Sequence, residues 1–223
     1  FLNSQMDFTS ANSGTVTSPI VYRAYTNESP RIIGGAQLIP SWFTLVPITD
    51  AIFNSRLPTS AKGWVYQCDL PAHGITNLGK LRNRGVSYGQ TFHVGLVSHM
   101  ELSCDGDMMQ LASWPNSGYA TITAGSTTGM TFTYSGTPAN ESKWPNASHP
   151  WVHGFWNYDF YDQYLPVATF TVNNNRVTLD DPPGNPSILA GKRWQVCNLL
   201  EELDQANEYY IETQVGNTYY GKL

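Results

Sequence analysis

Val167-Ala-Thr-Phe-Thr-Val172 decides the fold class, because its β-branched and aromatic residues are typical of a buried strand. Pro19–Tyr25 and Ala120–Thr123 alternate between apolar and polar residues with period two, and Met130–Tyr134 does the same. Turn-forming Gly, Pro and Asn residues separate these runs, as in Asp180–Pro186. Short strands separated by turns predict an all-β fold of the sandwich, barrel or β-helix type.

One segment near the C-terminus indicates a short helix, Asn198–Asp204. Asn198 is a suitable cap for its first turn, and Glu201 stands at the position from which a capping box returns a bond. After it, Glu208–Glu212 and Asn217–Tyr220 flank a turn that contains a glycine, and we predict a β-hairpin there.

The composition favours an uncharged, hydroxyl-rich ligand. Charged residues make up only 13% of the chain, aromatic residues another 13%, and the formal net charge is −5. This acidic balance argues against nucleic acid as a partner, since no basic patch supplies the phosphate contacts. No apolar run is long enough to span a membrane. The chain starts at Phe1 rather than Met, and we interpret it as a processed or excised segment.

The three cysteines, Cys68, Cys104 and Cys197, lie far apart and form no CxxC pair, so no zinc site is expected. Two alternatives remain for them. One is a disulfide with a third thiol left over, and the other is three buried thiols that act as small hydrophobic residues. The apolar runs around each cysteine favour the buried alternative.

Three N-glycosylation acceptor sequences begin at Asn27, Asn140 and Asn146. All three lie in polar or proline-flanked segments, where a glycan would be accommodated at the surface. Their number favours a secretory route and an extracellular location, although chance occurrence in a chain rich in Asn and Ser is the alternative.

Nine stretches along the chain form a recognisable series. They are Phe8–Gly14, Pro19–Tyr25, Glu28–Gly35, Asp69–Gly79, Arg82–Gly85, Met100–Gly118, Trp151–Asp162, Arg193–Asp204 and Glu208–Ile211. In this order they resemble the N-terminal part of right-handed parallel β-helix proteins of the pectate-lyase-like superfamily, which carry a β-sandwich insertion. Two residues depart from that pattern, because Cys104 replaces an aromatic strand residue and Ser113 replaces an Arg before Trp-Pro-Asn.

This resemblance implies an organisation in three parts. Residues 1–36 would form the first β-helix coils, residues 37–192 an inserted antiparallel β-sandwich, and residues 193–223 the return to the β-helix. The strand edges of an unfinished β-helix would be open and would favour self-association.

The resemblance also implies a function. The chain would be the N-terminal portion of an extracellular glycoside hydrolase of the α-fucosidase or xylanase type, acting on a neutral glycan. Its catalytic carboxylates would lie on later coils, beyond Leu223. The alternative is a non-catalytic extracellular module that binds glycans or builds a scaffold. No Gly-x-Ser-x-Gly nucleophile elbow, phosphate loop or dinucleotide fingerprint appears in the chain. No cofactor is expected.

Asp159 and Asp162 are the candidates within this chain for a catalytic pair, since glycoside hydrolysis needs two carboxylates across the scissile bond. On a strand, residues three apart point to opposite faces, so the two would converge only on a turn. The alternative is that each carboxylate binds loop amides or a nearby arginine.

Trp151, His153 and Trp156 are the candidates for glycan contact, because aromatic rings stack on sugars while polar tips bind hydroxyls. Strand alternation places Trp151 and His153 on one face and Trp156 on the other. A buried aromatic ladder is the alternative.

Glu201, Glu202, Asp204 and Glu208 form the densest acidic cluster. Their spacing does not match an EF-hand loop, so no metal site is expected. We interpret Glu201 as a helix-capping residue and the other three as a solvated face.

Overall fold

The computed structural model describes residues 6–76, 101–185 and 187–212. The chain divides into two compact units, Phe1–Trp42 and Phe43–Leu223. The first unit consists of extended and turn segments with short 3-10 helices, and the second unit carries the strands. None of the helices in the described ranges has the length and apolar character that a membrane crossing needs.

The described residues form mostly β structure, which confirms the all-β prediction. Their strands are β1 (Thr44–Leu45), β2 (Tyr66–Gln67), β3 (Ser103–Cys104), β4 (Asp107–Met108), β5 (Gln110–Leu111), β6 (Ser113–Trp114), β7 (Ala120–Gly125), β8 (Thr131–Tyr134), β9 (Trp151–Gly154), β10 (Gln163–Thr171), β11 (Arg176–Leu179), β12 (Arg193–Cys197) and β13 (Glu208–Tyr209). Their helical elements are α1 (Ala51–Arg56) and the 3-10 helices Ser10–Asn12, Pro40–Trp42, Thr59–Ala61, Pro71–His73, Glu141–Asn146, Val172–Asn174 and Leu200–Glu202.

Six of these strands close into an antiparallel barrel. β12, β7, β8, β11, β10 and β9 are hydrogen-bonded in that order, and β9 pairs again with β12. β7 pairs with the first residues of β12, and β6 pairs with its last two residues. Closure gives each of the six strands a neighbour on both sides, so the barrel has no open edge. Among the described strands, open edges remain at β6 and in the small two-stranded sheets, and self-association through them stays a prediction.

The barrel interior is filled by large aromatic side chains, as the alternation along its strands requires. These rings contact one another at tilted and edge-on angles, for example Phe132 and Trp194 at 4.9 Å between centroids. The principal interior residues are Ile122, Phe132, Tyr134, Trp144, Val152, Trp156, Leu165, Val177, Leu179, Trp194 and Val196. A second core lies outside the barrel and consists of Val46, Leu57, Ala61, Ala112, Leu200, Leu203 and Tyr210.

The resemblance to a right-handed parallel β-helix is wrong for the described part of the chain. The barrel strands are antiparallel, and the parallel pairing found there joins only β13 to β5 over two residues each. The predicted sandwich is a closed barrel, and β12, the predicted return to a helical coil, is one of its strands. Period-two patterns are local and suit either parallel or antiparallel neighbours, so they did not distinguish these folds. The predicted domain boundaries themselves stay a prediction.

Several local predictions have separate outcomes. Ala120–Thr123, Met130–Tyr134 and Val167–Val172 lie in or largely overlap strands β7, β8 and β10, as predicted. Pro19–Tyr25 is not a strand, and its apolar side chains are exposed. Of the predicted hairpin, only the first arm is described, and Asn217–Tyr220 lies outside the described residues.

The predicted C-terminal helix is only the 3-10 helix Leu200–Glu202, and Asn198 does not cap it. Asn198 has a positive φ of 55°. Its side chain donates to the Ile211 carbonyl and accepts from the Ile211 N–H. The Asn198 side chain therefore makes the two hydrogen bonds that a neighbouring strand would make to Ile211, so it is not available to cap the helix.

None of the three cysteines is in a disulfide. Cys68 and Cys197 are buried, as the thiol alternative predicted, whereas Cys104 is exposed in β3. Burial raises the pKa of the Cys68 thiol, and the nearby Asp69 carboxylate adds to that effect.

Candidate functional site

The predicted ligand-contact residues fall on both faces of β9 and the loop after it. Trp156 points into the barrel and is fully buried against Phe132, with 5.6 Å between ring centroids. It therefore offers no surface to a ligand. Trp151 is half-buried at the start of β9, and it alternates with the buried Val152. His153 lies among polar and aromatic side chains contributed by the neighbouring strands.

His153 is held by its two neighbours across the sheet. Tyr164 of β10 and Gln195 of β12 are its register partners, because β9 lies between these strands. The Tyr164 ring stacks on the imidazole at 4.2 Å and an angle of 12°. Gln195 Nε2 lies 3.3 Å from His153 Nδ1. Three adjacent strands therefore place three side chains side by side.

Asp162, at the end of the loop before β10, completes this arrangement. Its Oδ2 lies 2.8 Å from His153 Nε2. Because the Gln195 amide nitrogen can only donate, His153 Nδ1 accepts and Nε2–H donates to Asp162. Both ring nitrogens are thus engaged, and His153 orients the carboxylate of Asp162, whose side chain is 44% exposed.

An arginine and two aromatic rings lie beside this group. The Arg193 guanidinium is 4.1 Å from the centroid of Phe155 and 5.5 Å from that of Tyr119. The two rings meet edge to face at 5.5 Å. Such cation–π contacts fix the guanidinium at the surface. We use the name outer-face site for His153, Phe155, Asp162, Tyr164, Arg193 and Gln195.

An exposed ring pair, Tyr158 and Phe160, lies in the loop between Phe155 and Asp162. The two rings are stacked with centroids 5.3 Å apart and planes 19° apart, and Phe160 is 77% exposed. Tyr161 is buried next to them. The buried Tyr161 side chain holds the loop in place, and this fixes the backbone that carries the two exposed rings.

Asp159 lies between these two rings in the sequence and has different partners from Asp162. Its carboxylate oxygens lie 3.4 Å from Lys192 Nζ and 3.8 Å from an Arg193 nitrogen. The Asp159 side chain is 68% exposed. The structure therefore holds Asp159 through ion pairs, one of them with an arginine as the alternative to a catalytic pair predicted, and Asp162 through a hydrogen bond from His153.

The predicted glycosylation acceptors differ in their surroundings. Asn27 and Asn146 are exposed. Asn140 is half-buried, and its side chain is hydrogen-bonded to Glu202. Asn27 and Asn146 are thus the more accessible acceptors.

The acidic cluster is not a solvated face. Glu201 and Glu202 are fully buried, and Glu208 is half-buried. Arg56 Nε donates to Glu201 at 2.6 Å, and its Nη1 donates to Glu212 at 3.1 Å. The interpretation of these carboxylates as a cap and a solvated face is wrong, because Glu201 and Glu202 are buried. Arg56 lies 145 residues away from Glu201 in the sequence, so no local pattern indicated that pair.

Glu202 is buried beside a different set of groups. Trp144 Nε1–H donates to its Oε1 at 2.5 Å. Burial raises the pKa of Glu202 to about 7, against the opposing effect of its bonds from Trp144 and Asn140. In the described ranges, no group of three or more His, Cys, Asp or Glu side chains is arranged to hold a metal ion.

Comparison with known proteins adds no relative. No family model matches the chain, and neither a curated protein nor a solved structure matches it.

Proposed function

We propose that this chain is an extracellular module that binds a neutral glycan through the outer-face site and the exposed ring pair. The observation that carries the proposal is the stacked pair Tyr158 and Phe160, which belongs to the same loop as two surface carboxylates, one held by ion pairs and the other by a hydrogen bond from His153. Aromatic rings stack on the C–H faces of sugars, and fixed carboxylates accept hydrogen bonds from sugar hydroxyls.

The balance of charges in the site supports a neutral ligand. Asp159 is paired with Lys192 and Arg193, and Asp162 is paired with His153. Two carboxylates face two permanently basic side chains, so no excess of either sign attracts a charged ligand. Hydroxyl groups, which donate and accept hydrogen bonds, match this mixture better than a phosphate or a polyanion.

The fixed positions of the polar groups support binding at low entropic cost. His153 is clamped by Tyr164 and Gln195, and it directs the Asp162 carboxylate. Arg193 is held over Phe155. A ligand that contacts these groups does not have to order them, and such preorganisation favours affinity.

Binding is a better-supported proposal than hydrolysis by these residues. The general acid of a glycosidase is a carboxyl whose pKa is raised in an apolar pocket. Asp159 and Asp162 instead lie at the surface with separate basic partners. Catalysis by a larger protein that contains this chain stays a prediction.

The extracellular location is part of the proposal and rests on the acceptor sequences. Asn27 and Asn146 are exposed, so a glycan attached to either would extend into solvent without displacing the barrel core. Mass spectrometry of the protein purified from its native source would detect glycans at these two residues.

The test is binding of the full chain to an array of neutral and anionic oligosaccharides, followed by titration calorimetry with the best neutral ligand. Phe160→Ala is expected to lower the affinity about fivefold, since one stacking contact contributes about 1 kcal/mol. Tyr25→Ala is the matched control, because Tyr25 is 79% exposed in the other unit. Preference for anionic sugars, or equal losses in both variants, would contradict the proposal.

A further inference from the structure

A second exposed aromatic surface lies on the ribbon formed by β1 and β2. Leu45 and Tyr66 are direct cross-strand partners in this antiparallel pair. Trp64 lies in the turn just before β2, and Val65 between the two rings packs against the second core, so Trp64 and Tyr66 both face away from that core. Trp64 is 80% exposed and Tyr66 is 59% exposed. We use the name ribbon platform for Leu45, Trp64 and Tyr66.

The opposite side of the ribbon explains why these rings face outward. Val46 is buried in the second core, and Val65 packs against that core. The Val46 N–H donates to the Val65 carbonyl at 2.8 Å. The inner valines therefore set the orientation of the ribbon, and the outward rings contribute little to the packing of the fold.

We propose that the ribbon platform is a second binding surface for a neutral sugar chain, separate from the outer-face site. The proposal does not depend on the first site, because the two surfaces share no residue. An exposed tryptophan and an exposed tyrosine that both face away from the core provide rings on which sugars can stack.

The charge of the platform favours this occupant. The strand residues of the ribbon are Thr44, Leu45, Tyr66 and Gln67, and none of them is charged. Lys62, two residues before Trp64, is exposed, but the platform residues themselves are uncharged and offer aromatic stacking and neutral hydrogen-bonding groups to a sugar.

The size of the platform excludes a stable protein partner on this surface alone. The three side chains expose an area on the order of 400 Å². A standard protein–protein interface buries about 800 Å² on each partner. The platform is therefore about half of what a second copy of the chain needs, but it is sufficient for one or two sugar rings.

The experiment uses Trp64 as its own reporter, because it is the exposed tryptophan while the other six are half-buried or buried. Acrylamide quenching of the full chain is measured with cello-, xylo-, manno- and galacto-hexaose. At least one of these neutral probes is expected to protect Trp64 from quenching, and the same probe must bind Trp64→Ala about tenfold more weakly.

Two variants separate the ribbon platform from the outer-face site. Trp64→Phe keeps an aromatic ring and is expected to bind within about threefold of the wild type. Phe160→Ala is expected to leave the protection of Trp64 unchanged. If no probe protects Trp64, or if Phe160→Ala abolishes the protection, the ribbon platform is not a separate sugar site. A concentration-dependent dimer that Trp64→Ala dissociates would identify a second copy as the occupant and overturn the proposal.

Discussion

Replacement of Glu202 by Gln tests how the junction between the barrel and the second core responds to pH. Glu202 belongs to the 3-10 helix Leu200–Glu202, whose Leu200 packs in the second core. Its carboxylate accepts from the indole N–H of Trp144, a barrel-interior residue. One buried carboxylate thus joins the two cores.

The magnitude follows from the pKa of this group. Burial away from water is the largest cause of the rise, and the neighbouring Asp204 and Glu208 carboxylates add to it. Hydrogen bonds from Trp144 and Asn140 oppose it. The rise from 4.5 to about 7 corresponds to about 3 kcal/mol in favour of the protonated form.

The sign of the pH dependence is fixed by the direction of the rise. The pKa of Glu202 is higher in the folded than in the unfolded state, so its protonated form stabilises the fold. This contribution is fully present below pH 4.5 and is lost as the pH rises through about 7. A glutamine amide would keep an oxygen acceptor for Trp144 without carrying a charge. The E202Q substitution therefore removes the free-energy cost of burying an ionised carboxylate at high pH.

Urea unfolding at pH 4.5, 6 and 8 measures the effect. We expect the free energy of unfolding of E202Q to exceed that of the wild type by up to about 3 kcal/mol at pH 8, and to match it at pH 4.5. Glu28→Gln, at an exposed carboxyl, is the control and should show no such dependence. A difference between E202Q and the wild type that stays constant across this pH range would refute the reasoning.

Two further substitutions test the second core and the barrel. Arg56→Ala leaves the buried Glu201 and Glu212 without their cation, and we expect it to lower the free energy of unfolding by about 3–5 kcal/mol in urea titrations. Gly125→Ala places a methyl group 2.0 Å from the Ile188 carbonyl oxygen, so we expect a loss of about 1–3 kcal/mol and a lower Tm by calorimetry.

Matched variants accompany both substitutions. Arg176→Ala removes an exposed arginine from β11, and Gly34→Ala adds a methyl group where no atom lies within 4 Å. Both controls should stay within about 0.5 kcal/mol of the wild type. If Arg176→Ala cost as much as Arg56→Ala, the buried ion pairs would not be the cause of the loss. A Gly125→Ala protein with unchanged Tm would show that the chain near Ile188 moves freely aside.

The strands were predictable where their side-chain alternation is a local property. Ala120–Thr123, Met130–Tyr134 and Val167–Val172 combine period two with β-branched residues, and all three lie in or overlap strands of the barrel. Pro19–Tyr25 has a similar pattern but forms no strand. A strand needs a partner as well as a pattern, and the pattern carries no information about the partner.

The candidate site was predictable in its residue types but not in its arrangement. The aromatic run containing Asp159 and Asp162 indicated a surface for hydroxyl-rich ligands. It did not indicate that His153 contacts Gln195, which is 42 residues away, or that Asp159 pairs with Lys192. Such neighbours are created by the pairing of β9 with β12, so only the folded sheet shows them.

The amino-acid sequence by itself determined that this protein is a β-rich chain with aromatic and neutral polar surfaces. Those properties follow from the composition and from the period-two alternation of neighbouring residues. Only the tertiary structure decided that the strands close into an antiparallel barrel, that Glu201 and Glu202 are buried, and that Trp156 faces the core while Phe160 faces solvent. The physical reason is that closure and burial depend on contacts between residues far apart in the chain, whereas alternation depends only on neighbours.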